Sequence, residues 1–271
     1  MSTISVVVPS RDDARMLRHC LAALAVQTRP PDEVIVVDNG SSDDTATVAR
    51  AAGARVVSEP RPGVLHATAA GFDAATGDII GRLDADSIPS PEWAARLEER
   101  FDADPTLTGL TGTGRFYGGT ALRRLLGRYA YLGGYFWSMR VVMGHVPVFG
   151  SNFALRRSAW LAMRERLHID DPRMHDDLDI SFAIRPDMGI EFDRELRVGV
   201  SARPFDSWDG LQRRVEWAFH GLAVNLGEES VAQRQWECAA GRRQRRRLQR
   251  ASRRGGTPPA VTSGIAPASR R

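Results

Sequence analysis

Lysine is absent from this chain of 271 residues, although arginine is plentiful. A Schiff-base mechanism needs an amine, and a P-loop needs a lysine beside its Ser or Thr to reach phosphates. Both classes are excluded unless arginine takes a role its planar fork fits poorly. Cysteine is scarce: Cys20 and Cys238 lie far apart without metal-ligand spacing, so neither a disulfide framework nor a zinc site is expected. No run reaches the roughly 18 uninterrupted apolar residues of a spanning helix. Met1-Ser2-Thr3 leads straight into a short apolar strand rather than a signal sequence, and a cytoplasmic, reducing location is the expectation. After that first strand stands Pro9-Ser10-Arg11-Asp12-Asp13, not G-x-G-x-x-G. A dinucleotide oxidoreductase fails on this loop, and so does a nucleotidyltransferase that grips phosphate with a Gly-rich basic loop.

What is present supports a folded body with a distinct end. Hydrophobic content of 42% and charged content of 26% are ordinary for a globular domain, enough for a sizeable core. The net charge of +4 is unevenly held. The last 31 residues carry ten Arg and no acid, and setting them aside turns +4 into −6 for the rest. The body is therefore acidic, and the high pI gives no reason to expect a nucleic acid partner. From Gly241 onward the composition is that of a basic disordered tail, a candidate for peripheral contact with anionic headgroups at the inner face of a membrane or for a solvated extension. Residues 1–240 are read as a single domain, 1–105 as its nucleotide-binding half and 106–240 as its acceptor-binding half.

The first hundred residues alternate strand and helix signals. Ile4 to Pro9, Glu33 to Asp38, Ala54 to Ser58 and Asp78 to Leu83 are short, β-branched runs read as buried strands. Ala14 to Gln27, Val64 to Ala75 and Pro91 to Phe101 carry the helical period, and a further helix is expected after a Ser41 or Ser42 cap, with Asp43 and Asp44 in its first turn. This order predicts an α/β fold, a mostly parallel sheet flanked by helices on both faces. Beyond it, Leu107 to Tyr117 reads as a strand and Thr120 to Met143 as an aromatic-rich helical stretch. Val146 to Leu155 reads as extended, with helices over Arg156 to Leu167, Asp176 to Ile184 and Ser207 to Asn225.

Ligands of such sheets sit outside the carboxyl ends of the strands. The residues there are Ser10 to Asp13, Asp38 to Ser42, Glu59 to Gly63 and Asp84 to Ser87, so the cleft is acidic. An anionic ligand would need a bridging cation. Asp84-Ala85-Asp86 is one of three D-x-D runs, and the only one set between an apolar strand and a Pro-initiated helix. Two carboxylates so placed can hold Mg²⁺ or Mn²⁺, hard cations that share oxygen ligands with phosphates. Asp38 can accept the imide N–H of a uracil or an N–H of another base, or can cap the next helix. Asp13 is a candidate for a ribose or base contact. His175-Asp176-Asp177-Leu178-Asp179 offers a carboxylate general base, or simply acids that suit a helix N-terminus. His220 reads as a helix-face histidine or a third metal ligand. The aromatics from Tyr129 to Trp137 read as an acceptor wall, as core or as a dimer contact.

Five motifs in order, VVVPSRDD, VVDNGSSDDT, GDIIGRLDAD, GSNFALRR and HDDLDIS, resemble the family 2 glycosyltransferases over roughly residues 4 to 185. The resemblance implies a GT-A, Rossmann-like fold and inverting transfer from a nucleotide-diphosphate sugar, UDP favoured, to a hydroxyl on a glycan, lipid or small-molecule acceptor. It implies Asp38 as the base-recognising aspartate and Asp13 as the first-loop acid, with Pro9, Arg11, Arg61 and Asp84 completing the nucleotide site. Asp84 and Asp86 match the metal-holding D-x-D, Asp177 or its neighbour Asp176 the catalytic base, and Ser151 and Asn152 the acceptor side. Thr68-Ala69 departs from the family's usual Arg-Asn or Leu-Asn pair, leaving Arg61 or Arg82 to grip the diphosphate. That departure also motivates the alternative of a catalytically silent nucleotide-sugar-binding scaffold. No Gln-x-x-Arg-Trp is present, since Gln212, Arg214 and Trp217 have the wrong spacing, so single addition is expected rather than polymerisation.

Overall fold

The computed structural model describes residues 1–118, 120, 125, 133–203 and 208–253. Its centre is an eight-stranded mixed sheet in the order β3-β2-β1-β4-β7-β6-β8-β5. The strands are β1 (Ile4–Ser10), β2 (Glu33–Asp38), β3 (Arg55–Ser58), β4 (Ile79–Arg82), β5 (Ile88–Pro89), β6 (Leu107–Tyr117), β7 (Phe153–Arg156) and β8 (Gly189–Ser201). The first four form a parallel block in which Ser10 sits beside Asp38 and Asp38 beside Ser58. β7 enters antiparallel between β4 and β6, while β6 and β8 run parallel to each other. Strands from both sequence halves thus share one sheet.

Both faces of the parallel block are covered, which explains why its strands read as unbroken apolar runs. Ile4, Val6 and Val8 face Leu17, Leu21 and Leu24 of α1 (Ala14–Ala25) and Trp93, Leu97 and Phe101 of α4 (Trp93–Ala103). The alternate residues Val7, Ile35 and Val37 face Phe72 of α3 (Val64–Ala74) and Trp160 of α6 (Arg157–Met163). The other α-helices among the described residues include α2 (Thr45–Ala51), α5 (Gly133–Met143), α7 (Asp176–Ala183), α8 (Trp208–Glu228) and α9 (Val231–Arg253).

Three expectations change. α2 begins at Thr45 with Asp44 as its N-cap, so Ser41 and Ser42 do not cap it and Asp43 lies before it. The Asp43 carboxylate instead accepts the Thr45 amide at 2.9 Å and the Ala14 amide at 2.9 Å, tying the two loops together. β8, thirteen residues long, has no counterpart among the expected elements. Third, the basic segment is helical through Arg253 rather than disordered from residue 241. Arg and Gln are good helix formers, and α9 gains a buried seam where Cys238 packs on Gly144 and Gly241 on Pro186. Residues 254–271, like Tyr129 and Tyr131 of the expected aromatic wall, lie outside the described residues. No described helix is long and apolar enough to cross a membrane.

Candidate active site

The carboxyl ends of β1, β2, β4, β6 and β8 meet at one edge of the sheet, joined by the start of β7. Two loops build its first wall. Asp12 takes a positive φ of 50° after β1, and its carboxylate accepts the Ser42 amide at 2.7 Å and the Ser42 hydroxyl at 2.9 Å. Those donors hold Asp12 below the usual carboxylate range. Asp38 ends β2, and its Oδ1 accepts the Ser41 amide at 3.0 Å across a turn that needs the positive φ of Gly40 (71°). Asn39 reaches the other way: its side-chain amide donates to the Glu59 and Arg61 carbonyls at 2.8 and 2.7 Å and accepts from the Gly63 amide at 3.1 Å. The third loop is thereby fixed to the second. Pro9 lies opposite Val37 in the β1–β2 ladder and Arg11 is exposed beside Asp12, so both border this wall.

The second wall is the D-x-D. Asp84 and Asp86 follow β4, with the Asp84 amide donating to Ser87 Oγ at 3.1 Å to close the turn. Asp86 is tucked inward, and its backbone carbonyl accepts Tyr117 OH from the end of β6 at 2.6 Å. Burial, reinforced by the charge of Asp84, pushes the Asp86 carboxyl up to about 6, against the pull of Arg203. Arg203, just past β8, donates to Asp13 at 3.0 and 2.6 Å and to Asp86 at 3.0 Å. One guanidinium therefore joins the first-loop acid to the D-x-D. Sequence reading missed it because β8 was not seen. The signal was an arginine directly beyond the buried alternation Leu196, Val198, Val200.

A second guanidinium lies deeper. Arg82, only 2% exposed, donates to Asp84 Oδ1 at 2.5 Å, pairs with Asp176 at 2.9 Å and donates to the Gly150 carbonyl. Its Nε is buried without a partner among the described residues. Asp176 is held further by Thr68 Oγ1, which donates at 2.6 Å. Thr68, the departure from the pair that the resemblance implies, thus serves to fix Asp176. Asp177, next along α7, accepts the Gly150 amide at 3.1 Å and the Leu178 amide at 2.8 Å. Burial first, and the neighbouring Asp176 charge second, raise its carboxyl above the ordinary value despite His175 and Arg82. A partly desolvated carboxylate with a raised proton affinity is suited to general-base work.

Several expected roles do not survive. Ser151 is buried and donates to Asp84 Oδ2 at 2.5 Å, so it positions the D-x-D rather than meeting an acceptor. Asn152 is fully buried. Its Oδ1 accepts Trp93 Nε1 at 2.8 Å and its Nδ2 donates to the Thr113 and Leu196 carbonyls at 3.0 and 2.8 Å, which exhausts its reach. It locks β6, β7 and β8 together. Arg82, enclosed by acids, is not placed to grip a diphosphate, whereas Arg61 stays exposed while pairing with Glu59 at 2.9 and 2.8 Å. His220 pairs with Asp171 at 2.5 Å, and no group of three or more side chains suited to a metal forms among the described residues. In the aromatic stretch, Tyr135 donates to the Val148 carbonyl at 3.0 Å and Phe136 packs edge-on against Phe149 and Phe192, so these two are structural.

Known proteins resemble this chain in sequence and in fold. A family model described as glycosyl transferase family 2 matches residues 5–162. An uncharacterised glycosyltransferase of Mycobacterium tuberculosis is 47% identical over 103 residues, 36% of this chain and 45% of that protein. A glucosyl-3-phosphoglycerate synthase of Mycolicibacterium paratuberculosis is 38% identical over 117 residues, 40% of this chain and 34% of that protein. The matched region thus spans less than half the length of these relatives. Among solved structures, the M. tuberculosis glucosyl-3-phosphoglycerate synthase in complex with Mg²⁺ and UDP superposes with a TM-score of 0.61 at 24% identity, over 83% of this chain and 80% of that one. The fold is accordingly GT-A.

Proposed function

The chain belongs to glycosyl transferase family 2, and we propose that it transfers a sugar, with inversion, from a nucleoside-diphosphate sugar to a hydroxyl acceptor. UDP is the favoured carrier. The observation that carries this reading is the line of carboxylates along one end of the sheet: Asp38 held by the Ser41 amide, Asp13 and Asp86 by Arg203, Asp84 by Arg82 and Asp177 by the Gly150 amide.

The donor set fits a divalent cation. Asp84 and Asp86 offer hard oxygens, and the Asp86 carboxylate, whose proton affinity is raised by burial first and by the Asp84 charge second, would be stabilised by a dication. No group of three or more His, Cys, Asp or Glu side chains suited to a metal occurs among the described residues. The remaining positions would thus fall to phosphate oxygens and water, the habit of Mg²⁺ in nucleotide sites. Bound there, Mg²⁺ or Mn²⁺ would offset charge on the departing diphosphate.

The protein's own residues do the rest. Asp38, at the end of β2, accepts a base N–H in this reading, supported by the loop that Asn39 fixes beside it. Ser151 and Arg82 hold Asp84 in one orientation. The acceptor oxygen attacks the anomeric carbon as its bond to the diphosphate oxygen breaks, and the bonding pair leaves with the diphosphate. Asp177 takes the acceptor's proton. Asp176, clamped by Thr68 and Arg82, positions α7 rather than serving as the base. Residues 1–105 supply the donor wall in this reading, and later residues the base and the acceptor side. Acceptor class remains a hydroxyl-bearing glycan, lipid or small molecule.

Calorimetric titration of UDP, GDP and dTDP, with and without Mn²⁺, tests the donor site. Metal-dependent binding of UDP, lost in Asp84→Ala/Asp86→Ala, is the expected result; no nucleotide binding to folded protein would overturn it. Asp177→Asn should leave UDP binding intact while slowing donor turnover by about 10²–10⁴-fold, the usual range for a lost general base.

A further inference from the structure

Near the start of β8, at the end of the sheet opposite the D-x-D, arginines cluster around one space. A cavity of about 700 Å³ lies between α5, the segment leading into β8, and α9. Five arginines line it, Arg140, Arg185, Arg242, Arg245 and Arg246, and no acidic side chain does. Two of these are compensated from outside: Arg185 pairs with Asp187 at 2.7 Å, and Arg245 lies 3.8 Å from Glu191. Arg140, Arg242 and Arg246 have no carboxylate at ion-pair distance among the described residues. Arg242 also donates to the Gly144 carbonyl, which fixes its side chain on the wall. The wall histidine, His145, is pushed down to about 4, by burial first and then by the charges of Arg234 and Arg242. The site therefore holds unspent positive potential.

The cavity is built rather than incidental. α9 meets the body where Gly241 touches Pro186; a Cβ there would overlap the Pro186 carbonyl. That contact and the Cys238–Gly144 contact set the helix spacing and keep the arginines facing one space. Ile190, in the cavity wall, and Ser201, beside Tyr117 and the D-x-D, occupy opposite ends of β8. At ~3.3 Å per strand residue they are on the order of 30 Å apart, so this is not the donor site.

We propose that this cavity is a second anion site that binds a phosphate-bearing ligand. Arginine forks bind phosphate oxygens in pairs, and three uncompensated guanidinium groups match the charge of a diphosphate. The volume falls in the range of small-molecule sites. The same chemistry serves a soluble diphosphate or the phosphate of a lipid headgroup; Trp137, 73% exposed on the rim, would rest at a bilayer interface in the second case.

The test uses the full chain with chelator present, so that the carboxylates of the donor site repel an anion. Inorganic pyrophosphate is titrated by calorimetry, and flotation is run with phosphatidylglycerol vesicles and with neutral phosphatidylcholine vesicles as control. Pyrophosphate binding that weakens at least tenfold in Arg140→Gln/Arg242→Gln/Arg246→Gln, yet persists in Asp84→Asn/Asp86→Asn, supports a soluble ligand. Capture on phosphatidylglycerol alone, lost in the same triple variant, supports a headgroup. Binding to neither probe, or binding that the triple variant leaves unchanged, overturns the site. UDP titration of the triple variant with Mn²⁺ checks that its fold is intact, and failure of the donor reading would appear there in the parent protein as well.

Discussion

Arg82 and Arg203 both neutralise aspartates in the cleft, but from opposite sides and in different surroundings. Arg82 is 2% exposed and lies between Asp84 and the 5%-exposed Asp176, with the Gly150 carbonyl as a third acceptor. Arg203 is 47% exposed and spans Asp13 and Asp86 from the loop beyond β8. A buried ion pair loses little to solvent screening but leaves a stranded charge when one partner is removed. An exposed pair is screened, gains little and exchanges readily. The first cluster is therefore permanent framework, and the second is a cation position that an incoming ligand can take over.

The largest effect should come from breaking the framework side. Arg82→Gln leaves Asp176 buried with only Thr68 as a named donor, and loss of one partner of a buried pair typically costs about 3–5 kcal/mol. Urea unfolding should show a loss of that size, and Arg82→Gln/Asp176→Asn should recover part of it by removing the stranded charge. A loss below about 1 kcal/mol in the single variant would mean that the pair is not the framework described.

A smaller effect separates the two sides by pH. Asp86 keeps its proton to about 6 in the native state, through burial and the nearby Asp84 charge, against an ordinary value of 3.8. Between those pH values the unfolded chain binds fewer protons than the native one, so metal-free stability falls as pH rises across the window and levels off above it. The slope should flatten in Asp86→Asn and persist in Arg82→Gln, read from urea midpoints between pH 4 and 7 in chelator. An unchanged slope in Asp86→Asn would assign the titration elsewhere.

Much of this was legible because of where burial falls. The strands of the parallel block are covered on both faces, so Val6 to Val8 and Ile35 to Val37 read as strands without ambiguity, and the acids after them fall on the ligand-binding edge. β8 was hidden because its ladder with β6 breaks between Asp193 and Arg197, and exposed Arg194, Glu195 and Arg197 interrupt the apolar pattern. Losing β8 meant losing Arg203. α9 was hidden by composition, since its arginines resemble a solvated tail until the Gly241 and Cys238 contacts are known. Arg82, Ser151 and Asn152 were placed near the right chemistry but in the wrong roles. Motif position shows which edge a residue approaches; only packing shows that Asn152 is spent on Trp93 and two carbonyls.

The smallest effect, and the sharpest division between the two clusters, belongs to Arg203→Gln. Its ion pairs are exposed enough that stability should change by no more than about 1 kcal/mol. The same removal frees Asp13 and Asp86 from a competing cation. If the loop arginine only holds the place of a metal, Mn²⁺ should bind a few-fold more tightly to the variant, since a pair of ~0.2–1 kcal/mol corresponds to at most about fivefold in affinity. Calorimetry of Mn²⁺ without nucleotide reads this directly. Weaker Mn²⁺ binding would show that Arg203 organises the D-x-D instead of competing for it, and its cluster would then count as framework alongside that of Arg82.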